Sequence, residues 1–446
     1  MESDLIKELR RRQIASAADL KQALGISQAT FSRLIGKNSE KVATIGQARA
    51  TRYTLRRNIQ GMGHEFPIFR VTNTGSIAKL GFAVCLEGGR WYAHDPITGT
   101  ERLFEGVPYF LSDLQPQGFM GRAFPKQHPE LQLPQRLSDW SDDDVMRAIV
   151  NNGNDTIGNL MVGDSSMRAY LAKLSQPVLA CKESECSSSY AALAESALQG
   201  DPPGSSAGGE QPKFAATLCN GSHIRQVLVK FSPADNSLAS QRWRDLLIAE
   251  HLASISLQPI VAAANSRLIE ADSRIFLEVA RFDRSGEHGR IGVISLAALD
   301  DEYYGLRDNW LAAAGRLERD RLISAANAES IRLMYSYGGL IANTDRHFGN
   351  ISFVIDHAGK LSIAPSYDQL PMLYVPSNGQ IIDRKFTIEL PQSNTFAAWK
   401  RALPCAEAFW QSVMDHALIS PIFKDIAKEN LEQLNLQARL IEKNIS

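Results

Sequence analysis

The sequence predicts an α+β protein: an N-terminal winged helix-turn-helix over residues 1–60, a small β-rich subdomain over 66–165, and a bilobal body with an N-lobe over 190–280 and a helical C-lobe over 281–446. Three observations predict this. The first sixty residues are basic and hold two capped helical segments, residues 66–124 alternate short apolar runs with turns, and beyond residue 190 strand-like runs give way to long stretches of helical apolar spacing.

Residues 1–60 hold twelve Lys or Arg against five Asp or Glu, 12 − 5 = +7, so the total of −1 leaves −8 for the rest of the chain. Within them Ser16 to Leu24 reads as a capped helix, Gly25-Ile26-Ser27 as a tight turn, and Gln28 to Ile35 as a second helix capped by Ser27. In a helix-turn-helix the second helix presents its first residues to the major groove, which selects Gln28, Ala29, Thr30 and Arg33 as readers of duplex DNA. The stretch Arg49 to Arg57 surrounds the strand-like Tyr53-Thr54-Leu55, and as a wing it would place Arg56 and Arg57 against phosphates.

Turns such as Glu87-Gly88-Gly89 and Asp95-Pro96-Ile97-Thr98-Gly99 punctuate the β-rich unit, and Asp142 to Met161 reads as a helix and turn without assigned chemistry. The Ser- and Gly-rich stretches Cys186 to Ser189 and Asp201 to Gly209 read as exposed loops. In the second, Ala207, Gly208 and Gly209 allow backbone amides to approach an anionic oxygen, with Lys213 adding charge at the rim. Phe214 to Leu218 and Gln226 to Phe231 read as strands, the latter carrying Lys230 inside an apolar run. A lysine buried there needs an acidic partner, and the following helix, Ser237 to Leu257, offers Asp245 or Glu250. Phe276 to Phe282 is an apolar strand leading into a connection at Ala280, Arg281 and Phe282. Leu322 to Ile341 and Ala397 to Ile445 have helical spacing.

The most specific signal is Asn343-Thr344-Asp345-Arg346-His347-Phe348-Gly349-Asn350, followed by strand-like Ile351 to Ile355 and Leu361 to Ala364 and then by Asp368. An Asp five residues before an Asn is the spacing of a protein-kinase catalytic loop, where the Asp orients the attacking hydroxyl and the Asn helps hold Mg²⁺, with a second metal-binding Asp further on. Together with Ser205 to Lys213, Leu228-Val229-Lys230-Phe231, Arg281-Phe282-Asp283-Arg284 and Ala364-Pro365-Ser366-Tyr367-Asp368, these blocks occur in the order of HipA-like serine/threonine kinase toxins, which the chain resembles over roughly residues 66 to 440. The fused N-terminal segment is similar to the HipH branch of that family.

The resemblance implies a HipA- or protein-kinase-like body that uses ATP and Mg²⁺ to phosphorylate a protein Ser or Thr. It assigns Asp345 as catalytic, Asn350 and Asp368 as metal ligands, Lys230 and His347 to the nucleotide site, and Ala280, Arg281 and Phe282 to the hinge where adenine would meet backbone groups. It also implies autophosphorylation at Ser205 or Ser206 and a protein antitoxin as a further partner. Two departures stand out: Ala280 occupies a position where relatives carry an acid, and Gln241-Arg242-Trp243 replaces a usual Asn-Glu-aromatic run. These motivate a second reading, a DNA-binding transcriptional regulator or DNA-directed toxin with altered or weak kinase activity.

Composition agrees with a globular chain, 44% hydrophobic and 22% charged, and five scattered cysteines form neither a disulfide framework nor a paired metal pattern. With no run of about 18 apolar residues and no basic-then-apolar start, the expected location is cytoplasmic, away from membranes.

Overall fold

The computed structural model describes residues 1–200 and 211–445. The architecture is mixed α and β. The chain starts with α1 (Glu2–Arg12), β1 (Ile14–Ser16), α2 (Ala17–Leu24), α3 (Gln28–Lys37), β2 (Val42–Ile45) and β3 (Arg52–Leu55), the strands forming an antiparallel sheet in the order β1-β3-β2. Ser16 and Asp19 form a reciprocal capping box at the start of α2, Gly25 ends it at φ +63, and the Ser27 hydroxyl accepts from Thr30 N to start α3. Leu5, Leu9, Leu20, Phe31, Leu34, Val42 and Leu55 form the core of this unit. The sequence reading did not identify α1, although it carries acids in its first turn and Arg10, Arg11 and Arg12 in its last, matching the helix dipole.

Ala43 and Ile45 pack against Val84 and Leu86 of the next unit. That unit contains β4 (Glu65–Val71), β5 (Ile77–Cys85), β6 (Arg90–Asp95), β7 (Thr100–Glu105), α4 (Tyr109–Ser112), α5 (Gly118–Gln127), α6 (Asp142–Asn152), β8 (Leu160–Val162) and α7 (Asp164–Leu174). Its antiparallel sheet runs β7-β6-β5-β4-β8.

β9 (Cys181–Lys182) and α8 (Cys186–Leu198) follow. Here the loop expected over Cys186 to Ser189 is corrected: it is the first turn of α8, with Cys186 buried. Cys186, Tyr190, Ala194 and Ala197 recur every three or four residues and pack against Phe214, Phe231 and Phe276. This apolar stripe outweighs the weak helix propensity of Ser187, Ser188 and Ser189.

The next lobe holds β10 (Lys213–Asn220), β11 (His223–Phe231), α9 (Leu238–Leu257), β12 (Ser266–Ala271) and β13 (Arg274–Ala280), with sheet order β12-β13-β11-β10-β9. Leu246, Leu247, Ile248 and Ala249 are all fully buried, so α9 is enclosed on every side. Short strands β14 (Arg284–Ser285), β15 (Gly289–Arg290) and β16 (Gly292–Ser295) lead to α10 (Leu296–Tyr303), α11 (Trp310–Arg319) and α12 (Ala325–Leu340). β17 (Ser352–Ile355) and β18 (Leu361–Ile363) then join β16 in a three-stranded sheet, and α13 (Phe396–Asp415) and α14 (Pro421–Ile445) complete the helical lobe. None of the described helices is long and apolar enough to cross a membrane.

Candidate active site

A cavity of about 370 Å³ lies between the lobes, lined by Lys213, Lys230 and Ala280 on one side and by His347, Asn350 and Asp368 on the other. Antiparallel pairing of β10 with β11 sets Lys213 directly opposite Lys230. The side chain of Lys230, 5% exposed, is paired with Glu250 at 2.5 Å and with Asp368. The sequence left the partner open between Asp245 and Glu250; Asp245 instead accepts from Ser420 N and Oγ at 2.8 and 2.6 Å and holds the start of α14. Burial works against the Lys230 ammonium, but the two carboxylates outweigh it and hold its pKa above the ordinary value. Burial alone would raise Asp368; Lys230 and Lys213 pull it below the usual carboxylate range, while burial pushes Glu250 up. Lys213, buried and flanked by Lys230, is held down to about 8, with Asp368 partly offsetting its burial.

Asp368 sits at φ +55 and Ala342 at φ +60, left-handed conformations that L-residues adopt at a cost when the surroundings enforce them. Asn343, 2% exposed, links the 343–350 loop to the residue after Asp368: its Oδ1 accepts from Asp345 N and its Nδ2 donates to Gln369 Oε1. Asn350 Nδ2 donates to the Asp345 carbonyl at 2.9 Å, fixing the two ends of the loop together. The Asp345 carboxylate is half-exposed and lies beside the cavity, not on its lining, 4.0 Å from His347 Nε2. His347 Nδ1 accepts from Gly349 N, and its carbonyl accepts from Trp310 Nε1.

Ala280, Arg281 and Phe282 border the cavity, and the Phe282 ring stands 5.6 Å from that of Tyr367. The Arg281 guanidinium is engaged by Asp283 at 2.9 and 2.7 Å. Asp283 also accepts from Gly158 N and Arg284, and Arg284 reaches Asp155, so the 142–161 segment anchors the cleft from behind. Arg242 stacks over Phe423 and donates to the Tyr374 carbonyl, which explains that departure as packing between α9 and the C-lobe.

A third wall is new relative to the sequence reading: Ser112, Asp113, Gln115 and Gln117 of the β-rich unit line the same cavity. Asp113 accepts from Ser295 N and Oγ, both at 2.7 Å, tying the two units together. Tyr367 was legible within the Ala364 to Asp368 block, whereas nothing local marks Asp113. Ser205, Ser206, Ala207, Gly208 and Gly209 lie outside the described residues.

Away from the cleft, Gln28, Ala29 and Arg33 are exposed on α3 and Thr30 is half-buried. Arg56 and Arg57 both carry ion pairs within the chain. Arg56 pairs with Glu65 at 2.8 Å, and Arg57 makes two 2.7 Å hydrogen bonds to Asp143, so both fasten the N-terminal unit to its neighbour. Arg57 is held by a bidentate carboxylate and Arg56 by a single bond, and the Nε of each has no hydrogen-bond partner among the described residues.

Residues 62–171 match the middle domain of the YjjJ-like toxin, and residues 205–434 match the HipA-like C-terminal domain. Toxin YjjJ of Escherichia coli (strain K12) is 35% identical over 436 residues, 97% of this chain and 96% of that protein. The chain belongs to the HipA-like toxin family. Among solved structures, this HipA-like toxin is similar to a chain of the Shewanella oneidensis MR-1 HipA, HipB and operator DNA complex, with TM-score 0.47 and 15% identity over 82% of this chain and 95% of that one. It is also similar to the Helicobacter pylori proinflammatory kinase CtkA, with TM-score 0.38 and 15% identity over 54% of this chain and 94% of that one.

Proposed function

We propose that this HipA-like toxin is an ATP- and Mg²⁺-dependent protein serine/threonine kinase. The observation that supports the reading most is the Glu250–Lys230–Asp368 chain, in which buried Lys230 and Glu250 meet a partly exposed Asp368 in the cleft. Phosphoryl transfer depends on positioning and charge neutralisation, and a lysine held between two acids offers a fixed cation for phosphate oxygens. The residues present fit magnesium: Lys230 engages only Oδ1 of Asp368, and Asn350 uses its NH₂ toward Asp345, which leaves hard oxygen donors on both side chains. Bound there, the metal would neutralise phosphate charge. Asp345 orients the attacking hydroxyl, and its half-exposed carboxylate suits an incoming protein side chain. Ala280 removes one side-chain contact to the nucleotide but leaves the backbone of β13 to meet it. Ser205 or Ser206 remains our candidate for autophosphorylation.

Lys213 gives this reading a pH test. Phosphates favour its charged form, so Mg-ATP affinity is expected to stay flat below pH 8 and then to fall by up to about tenfold per pH unit. Calorimetric titration across that range checks it, and Lys213→Met should flatten the profile. For folding the sign is opposite: the buried site prefers neutral Lys213, so its contribution is full above the ordinary value of 10.5 and is lost as pH falls through 8.

We further propose that residues 1–60 form a winged helix-turn-helix that binds duplex DNA, supported by the +7 charge, the capped α2 and α3 pair and the exposed start of α3. Deleting the segment should abolish DNA binding, and binding by the full chain should weaken steeply with salt. Arg33→Ala is expected to cost about 1–3 kcal/mol and to relax sequence preference, as read by fluorescence anisotropy. Unchanged affinity after the deletion would place the DNA-binding surface elsewhere.

A further inference from the structure

A second cavity, about 300 Å³, opens between the β-rich unit and the C-lobe and adjoins the nucleotide cleft at Val293. Two arginines line it, one from each unit: Arg70 on β4 and Arg290 on β15. Arg290 is 4% exposed; one of its nitrogens donates to the Asn154 carbonyl and its guanidinium lies over the Tyr170 ring, while Nη1 has no hydrogen-bond partner among the described residues. Its nearest carboxylate, Asp155, is 4.0 Å away and is taken up more closely by Arg284 and Lys173, each at 3.1 Å. Arg70 forms no ion pair among the described residues and makes a single 3.4 Å contact to the Pro96 carbonyl. Burial lowers its pKa, with no carboxylate opposing the shift.

A guanidinium withdrawn from water is costly unless an anion or several acceptors satisfy it, and here the buried Arg290 shares one cavity with the half-buried Arg70. Asn73 and Asn159 add side-chain amides that make no hydrogen bond to a described residue, and Asp356 and His357 stand exposed at the mouth. Asp356 is turned to its own loop, accepting from Ala358 N and Lys360 N.

We propose that this cavity is an anion-binding site for a small phosphate ester or carboxylate group, gripped by Arg70 and Arg290 and oriented by Asn159. Because the arginines belong to different units, a bound anion would clamp the β-rich unit to the kinase-like body.

Calorimetric titration of the full chain with phosphoserine and, separately, with acetate tests this. Arg70→Gln should weaken binding roughly tenfold or more, since it removes charge-assisted hydrogen bonds; Asn159→Ala should weaken it less, and Lys213→Met should leave it unchanged. An unaltered melting temperature of the ligand-free Arg70→Gln protein separates loss of the site from loss of the fold. Binding of phosphoserine alone assigns a phosphate ester and binding of acetate alone a carboxylate, and either supports the site. No binding of either anion at millimolar concentration, wild-type affinity in Arg70→Gln, or loss of binding in Lys213→Met would overturn it.

Discussion

Asp368→Asn is expected to lower phosphoryl transfer by about a thousandfold while the protein stays folded. Asn occupies the left-handed region at least as readily as Asp, so the backbone at φ +55 is retained. What is lost is the carboxylate that pairs with Lys230 and that would hold the metal. Lys230 then keeps only Glu250, whose Oε2 has no hydrogen-bond partner among the described residues. Mg-ATP affinity should fall together with the rate, and circular dichroism should match wild type. Wild-type transfer by a folded Asp368→Asn protein would show that the metal and phosphates are held by other groups.

Asp283→Ala is expected to produce the largest loss of stability, about 3–5 kcal/mol, because it leaves buried guanidiniums without their carboxylate. Asp283 is buried and serves Arg281, Arg284 and Gly158 N together. Burial would raise its pKa, yet Arg281 and Arg284 pull it well below the ordinary value. With the folded value depressed, its contribution is present above about pH 4, the unfolded carboxylate range, and is lost only as pH falls toward strong acid. Denaturant unfolding of wild type and variant at neutral pH measures the difference. A change below about 1 kcal/mol would mean that the arginines find other partners or water.

Features set by short-range rules were the most legible in the sequence. Ser16 and Ser27 as caps, Gly25 as the left-handed stop and the strand pair around Lys230 all follow from neighbours within a few residues. Spacing likewise brought Asp345 and Asn350 onto one braced loop. Long-range partners were harder to read. Glu250 and Asp245 lie on the same helix, and only the docking of α9 between lobes decides that one meets Lys230 and the other Ser420. The ion pairs of Arg56 with Glu65 and of Arg57 with Asp143 likewise exist only in three dimensions. Asp113 completes the cleft from a different unit, and its partner Ser295 lies 182 residues away. At Cys186 composition misled, since three serines obscured an apolar stripe whose strength depends on the aromatic cluster it covers.

The central claim, that the braced loop of this HipA-like toxin supports phosphoryl transfer to a hydroxyl, is tested most directly by following labelled γ-phosphate from Mg-ATP into protein Ser or Thr. The comparison is between wild type and Asp345→Asn. The account predicts acid-stable label with wild type and a rate lower by roughly 10²–10⁴-fold with Asp345→Asn, Mg-ATP binding being retained, because the half-exposed carboxylate acts on the hydroxyl and makes no ion pair with Lys230. Labelling at the wild-type rate by a folded Asp345→Asn protein would contradict it.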